Sequence, residues 1–318
     1  MGSPPAAGAP ATADAAGAAR SGWLGRAWAA NGAGYMFLLP WLIGFLVLTA
    51  GPSLISLYLS FTNFDLLRPP TWVGAANYQR IFTADAKFMA SMRVTLFFVI
   101  FSVPLKLAFA LAVAVALNRG IKGLPLYRAI FYLPSLIGTS VAIAVLWRQL
   151  FARDGLVNTL LWEGFGIQGP SWVSHPDYSL WTLIILSIWQ FGSPMIIFLA
   201  GLRQIPTDMY EAASLDGASK WRQFWKITLP LITPVIFFNA VVQTIEAFKA
   251  FTPAFIISGG TGGPVNSTLF YTLYLYQEAF GFFRMGYASA LAWILVVIIG
   301  AFTALSFLTS RYWVHYDD

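Results

Sequence analysis

The stretch EAASLDGASKWRQFWKITLPLITP, residues 211–234, is a polar segment set between two long apolar ones, and its own pattern is helix, turn, helix. Asp208 is placed to cap the first helix with Glu211 three residues later, the logic of a capping box, which also sets negative charge at the helix's positive end. Ala212 and Ala213 keep one face thin enough for a partner's groove to reach the backbone. Gly217 suits the left-handed residue that ends a helix. A second helix is predicted from Ser219, with Trp221, Phe224 and Trp225 as an apolar side beside Lys220, Arg222 and Lys226, until Leu229 and Pro230 open the next apolar run. Such a segment reads as a docking surface that receives force from a soluble subunit. The residues alone also allow a solvated loop whose aromatics rest on lipid headgroups.

The flanking sequence fixes the setting. Of the 318 residues 58% are hydrophobic and only 10% charged, too little charge to cover one soluble core. A membrane-spanning helix needs about 20 apolar residues, and six candidates run roughly over 35–60, 92–117, 130–150, 180–202, 230–257 and 286–310. They are apolar all round and lack the alternation of a transmembrane barrel. The fold class is therefore all-α, a polytopic membrane protein with six transmembrane helices. Pro104 lies inside the second and should bend it. The third is predicted as one helix whose Gly138, Thr139, Ser140, Ala142 and Ala144 let a neighbour approach closely.

Other chemistries find little support. Zero cysteines exclude disulfides, thiolate zinc ligands and a thiol nucleophile, and His175 and His315 lie far apart, so neither a metal site nor a catalytic triad is expected. The glycine-rich stretch SGGTGGPVNST that opens the segment 258–285 lacks the Gly-Lys-Ser/Thr ending of a phosphate loop and does not follow a strand. Residues 1–34 are expected to form a disordered cytoplasmic tail with no cleaved signal, and the first span to serve as its own insertion signal. With the N-terminus cytoplasmic, the inner segments hold Arg20, Arg26, Arg119, Lys122, Arg128, Arg203, Lys220, Arg222, Lys226 and Arg311. The outer ones hold only Arg68, Arg80, Lys87, Arg153 and Arg284. This bias puts the 203–229 loop and the 311–318 tail in the cytoplasm and explains the net charge of +6 without nucleic acid.

Ionisable and amide side chains within spans face cavities or partners by default. The fifth span carries Asn239, Gln243 and Glu246 at spacings of four and three, hence on one helical face. With Phe248 and Phe251 nearby, that stripe would suit a sugar, whose hydroxyls need hydrogen bonds and whose ring faces stack on aromatics. The competing account pairs Glu246 with Lys249 and uses Asn239 and Gln243 to join helices. Gln190 lies beside Gly192 and Pro194, where a broken helix exposes carbonyls to a cavity. Lys106, Arg148 and Lys249 are cations at or within spans that could complement an anionic saccharide or a glycerol phosphate, or equally snorkel or pair structurally, so the sequence leaves the substrate's charge open.

At Glu211, Ala212, Ala213, Asp216, Gly217, Ala218, Phe224, Ile227, Leu229, Pro230 and Pro234 the chain resembles the EAA loop of bacterial ATP-binding-cassette importer permeases. The segments FYLPSLI, LVN, FLAGLRQIP, GGPVNST and GYASA extend the resemblance over essentially the whole chain after the tail, toward the first permease type of the maltose-importer-related sugar class. The resemblance implies the type I importer permease fold and a transport function without enzymatic activity. Its partners would be a second similar permease, two cytoplasmic ATPase subunits that hold ATP and magnesium, and an extracytoplasmic solute-binding protein. Glu211 to Ala218 would couple to the ATPase, and Asn239, Gln243, Glu246, Lys249, Phe248 and Gln190 would line the path of a carbohydrate. The residues themselves leave two alternatives of other classes, an ion-coupled secondary transporter and a membrane anchor or assembly protein with no path, against which the polar face of the fifth span argues.

Overall fold

The computed structural model describes residues 36–118 and 123–315. The expected tail over 1–34, with Arg20 and Arg26, lies outside the described residues, as do Arg119 and Lys122. The described residues divide into two units, with the boundary between Ser56 and Leu57.

The first unit contributes the start of the helix Met36–Ser60, whose apolar window has no buried residue and which widens into a π-turn over Leu46–Ala50. Apolarity in such a helix meets lipid or another chain, since within lipid a helix satisfies its backbone groups internally and needs no packed neighbour for that purpose.

The second unit is built around the helix Ala86–Leu117, which runs unbroken through Pro104. Its buried side chains recur at helical spacing, through Phe88, Ser91, Thr95, Phe98, Ser102, Ala110, Ala114 and Leu117, so one continuous stripe faces the protein. Against it pack Pro176–Trp189, Gly192–Leu202 and Thr233–Phe248. Two further helices pass as long, apolar spans, Thr233–Ile257, with a non-helical step at Ala250–Phe251, and Met285–Ser310.

The other two spans are bent pairs. Leu124–Ile137 and Val141–Leu150 meet at 95°, and Pro176–Trp189 and Gly192–Leu202 at 42°. The first break corrects the expectation of one helix through 130–150. Locally, Gly138, Thr139 and Ser140 follow Pro134, and the extended backbone of Ser140 lets its hydroxyl accept from the Ile143 N–H at 3.3 Å, starting a new helix in a new direction.

One end of the unit is tied together by polar groups. A short antiparallel pair, Thr62–Asn63 with Thr71–Trp72, has Thr62 opposite Trp72 and Asn63 opposite Thr71. Asn77 Nδ2 donates to the carbonyls of Ser60 and Thr62, each at 2.9 Å. Asp85 caps the Ala86–Leu117 helix by accepting from the Phe88 N–H at 3.0 Å. Its other oxygen accepts from the hydroxyls of Tyr274 and Tyr287, both at 2.5 Å. Burial raises the Asp85 pKa, but these two hydroxyls and the Phe88 and Lys87 N–H groups outweigh it and hold the carboxyl below its usual range. Glu278, almost fully buried, pairs with Arg284 at 3.1 Å. At the opposite end the His315 N–H donates to Thr233 Oγ1 at 2.9 Å.

Candidate functional site

The two breaks lie against one another. Ser135 donates its hydroxyl to the Gln190 carbonyl at 3.0 Å and accepts the Ser193 N–H at 3.0 Å, while Gln190 Nε2 donates to the Gly138 carbonyl at 3.0 Å. A helix broken within a bilayer exposes backbone groups that lipid cannot satisfy. Here one serine and one glutamine satisfy them. Glycine is required at the contact: a Cβ at Gly192 would lie 2.4 Å from the Phe131 carbonyl oxygen, and one at Gly138 would lie 2.4 Å from Gln190 Cγ.

Beside this junction opens a cavity of about 230 Å³, bounded by the second, third, fourth and fifth spans. Thr139, Ser187, Gln190 and Gln243 supply neutral polar groups, Phe98, Phe251 and Phe270 supply rings, and Lys106, Glu246 and Lys249 supply charge. The last two form an ion pair, Lys249 Nζ to Glu246 Oε1 at 2.7 Å. A wall that mixes amides, hydroxyls and aromatic faces can hold a polyhydroxylated ligand by hydrogen bonds on its edges and stacking on its rings.

Of the six side chains expected to line the path, the structure brings Gln190, Gln243, Glu246 and Lys249 to this cavity, together with Phe251 and Lys106, while Arg148 is not among its lining residues. It places two elsewhere. Phe248 is buried in the core with its ring 5.1 Å from that of Phe302. Asn239, one turn from Gln243, is fully buried outside the cavity wall, and neither of its amide atoms has a hydrogen-bond partner among the described residues. Thr139, Ser187 and Phe98 were missed as lining residues. Thr139 and Ser187 carry no signal that separates them from packing residues, and Phe98 is one of many phenylalanines in spans.

The segment that follows the fourth span is a second candidate site. Its first helix, Thr207–Leu215, starts after Pro206 with no side-chain cap, so Asp208 lies in the first turn and is not the capping residue. Proline sets the φ that opens the helix, and Asp208 still places its charge at the positive end. The helix ends as the sequence suggests: Gly217 has φ 75°, the Ala218 N–H donates to the Ala213 carbonyl at 2.9 Å and the Gly217 N–H to the Ser214 carbonyl at 3.1 Å, a Schellman closure. Ser219 then caps Lys220–Gln223 by accepting from the Arg222 N–H at 3.3 Å.

Gln223 locks the corner. Buried at 3% exposure, its Nε2 donates to Ser214 Oγ at 2.9 Å and to the Ala218 carbonyl at 3.1 Å. Tyr210 Oη and Thr228 Oγ1, 2.9 Å apart, join the first helix to the residues leading into the fifth span. Nothing in the sequence singles out Gln223, because a glutamine in a polar segment is ordinarily exposed. Glu211, Ala212, Asp216 and Gly217 are exposed, Ala213 and Ala218 half-buried, and Leu215 stands out at 90% exposure. The result is a rigid, protruding corner linked by hydrogen bonds to the segment that leads into the fifth span.

Residues 94–314 match the family model described as "Binding-protein-dependent transport system inner membrane component". Over 288 residues the chain is 54% identical to the "Probable ABC transporter permease protein YesP" of Bacillus subtilis (strain 168), covering 91% of this chain and 93% of that one. It is 32% identical over 283 residues to the "Lactose transport system permease protein LacF" of Rhizobium radiobacter, covering 87% and 94%. In fold it is similar to a chain in the crystal structure of a bacterial alginate ABC transporter in complex with alginate pentasaccharide-bound periplasmic protein, with TM-score 0.77 and 22% identity over 90% of this chain and 96% of that one. Six apolar spans, a rigid corner between two of them and a family match across all but the first explain one another: the chain belongs to the binding-protein-dependent transport system inner membrane components, as a permease subunit.

Proposed function

We propose that this chain pairs with a second, similar permease to form the translocation path of an ATP-driven importer, and that the solute is a carbohydrate, an oligosaccharide in particular, handed over by an extracytoplasmic solute-binding protein. The single observation that carries the reading is the cavity at the junction of the two broken spans, lined by Gln190, Gln243, Ser187 and Thr139 together with Phe98, Phe251 and Phe270. That lining matches the amphipathic surface of a sugar. Support comes also from relatives named for lactose transport and for trehalose/maltose transport, and from solved structures of transporters described as importing the acidic polysaccharide alginate.

On this reading the excess of Lys and Arg sets both termini and the 203–229 loop in the cytoplasm. Glu211 to Ala218 dock in a cleft of a cytoplasmic ATPase subunit, two of which hold ATP and magnesium. Movement of that corner is transmitted through the Gln223 and Tyr210 bonds into the fifth span, whose Gln243 and Glu246 line the cavity. Coupling of this kind needs an element with two states that both sites bias, and the fifth span is the element that touches both. Engagement of Glu246 by Lys249 argues against a secondary transporter that cycles protons on that carboxylate.

The test is co-purification from native membranes with a tag on this chain, followed by ATPase assay with and without the binding protein. Recovery of a second permease and an ATPase, with activity stimulated by the sugar-loaded binding protein, is the expected result. Recovery of this chain alone, with uptake that tracks an ion gradient, would overturn it.

A further inference from the structure

We infer that the carbohydrate carried through this cavity is anionic, and that its carboxylate is received by Lys106. The inference rests on the carbohydrate reading above and adds the charge of the substrate.

Three charged side chains line the cavity, Lys106, Glu246 and Lys249. The carboxylate is already engaged, since Lys249 Nζ sits 2.7 Å from Glu246 Oε1. Lys106 forms no ion pair among the described residues. Two ammonium groups and one carboxylate leave the wall with one uncompensated positive charge, and Lys106 is the group that carries it.

Two ordinary explanations for such a lysine do not fit. It is not a residue at a span's end reaching for the surface: eleven positions separate it from Leu117, the last residue of the helix, which at 1.5 Å per residue is about 17 Å, beyond the reach of a lysine stem. Nor does it point outward, because it continues the stripe that buries Phe98, Ser102 and Ala110 and lines the cavity together with Phe98 and Val103 of the same helix. A cation at mid-span faces a cavity because the bilayer will not solvate it.

A neutral sugar would use the hydroxyls, amides and rings of this wall and leave the ammonium without a partner, whereas one carboxylate on the sugar would neutralise it. A uronate-type saccharide combines the stacking face that Phe98, Phe251 and Phe270 can receive with the single negative charge that the wall lacks. Glycerol phosphate offers up to two charges and no ring, so it fits the count and the lining less well.

The experiment uses the complete importer, purified with its partner subunits, reconstituted in proteoliposomes with ATP and supplied with its binding protein. Uptake is measured for a panel of uronate-containing oligosaccharides, for their carboxyl-reduced neutral counterparts and for glycerol 3-phosphate. The wild-type importer and the variants Lys106→Gln and Lys106→Arg are compared. Expected is uptake of at least one uronate saccharide at ten times or more the rate of its neutral counterpart. Lys106→Gln should abolish that preference by lowering uronate uptake ten-fold or more while leaving uptake of the neutral counterpart within two-fold, and Lys106→Arg should keep it. A Lys106→Gln variant that slows acidic and neutral sugars alike, or neither, would overturn the inference, as would a Lys106-dependent preference for glycerol 3-phosphate. Uptake of neutral sugars alone would overturn it while leaving the carbohydrate function standing. Uptake of none of the three classes would remove that function and this inference together.

Discussion

Gln190 Nε2 donates a hydrogen bond to the carbonyl of Gly138 at 3.0 Å, joining the break of the fourth span to the break of the third. The same glutamine lines the cavity, so the residue that stabilises the broken backbone also presents polar atoms to whatever occupies the space. Gln190→Leu removes the donor and leaves a carbonyl unpaired within the membrane. The expected cost is about 1–3 kcal/mol, read as a fall in melting temperature of the purified protein, with a larger proportional loss of uptake.

Gly192 is the tightest point of that junction. An alanine there would place its Cβ 2.4 Å from the Phe131 oxygen and 2.7 Å from Tyr132 Cα, both backbone atoms that cannot rotate aside. Gly192→Ala is expected to destabilise by about 1–3 kcal/mol or more. Gly164→Ala, at a glycine with open space around its Cβ position, should change stability little, and equal melting of the two variants would show that the close approach is unimportant.

The corner at Gly217 should separate docking from folding. Glu211→Lys reverses an exposed charge and is expected to leave membrane insertion and melting unchanged while weakening recovery of the ATPase subunit. Gln223→Ala is expected to act the other way, loosening the corner by about 1–2 kcal/mol through loss of its buried bonds, and to lower transport per ATP hydrolysed. A Glu211→Lys protein that fails to insert would assign that residue a folding role.

The ion pair between Glu246 and Lys249 is half-exposed in this chain, so it should contribute less than about 1 kcal/mol to stability. Glu246→Gln is therefore expected to melt near the wild-type temperature yet change uptake, because it alters the net charge of the cavity wall by one. Loss of stability in step with loss of uptake would make the pair a structural one.

Asp85 gives a pH prediction with a definite sign. Its carboxyl is held below the usual range in the folded state, burial opposing and the Tyr274 and Tyr287 hydroxyls and backbone N–H groups prevailing. The stabilisation is fully present above the unfolded value of about 4 and is lost as the pH falls through the lower folded value. Melting temperature should thus be flat from this source near neutrality and fall below about pH 4, and Asp85→Asn should flatten that fall. An unchanged acid limb in the variant would place the acid sensitivity elsewhere.

The sequence by itself determined the six apolar segments, the polar corner at 211–229 and its closing glycine. Each depends on a local property: a run of apolar residues long enough for a bilayer, or a φ angle that only glycine adopts cheaply. It also placed Asn239, Gln243 and Glu246 on one helical face, since that follows from 3.6 residues per turn. What it could not determine was where along that face the cavity ends, and the answer divides Asn239 from Gln243, because it depends on which neighbour packs against each turn. The 95° break at Gly138 was likewise decided by tertiary structure. Gly138, Thr139 and Ser140 are compatible with a straight, closely packed helix, and the break is held where Gln190 of the packed fourth span takes up the freed Gly138 carbonyl. Lys106 lies well over a hundred residues from Lys249 in the chain, and only the packing of the second span against the fifth puts both into one wall with a single carboxylate between them.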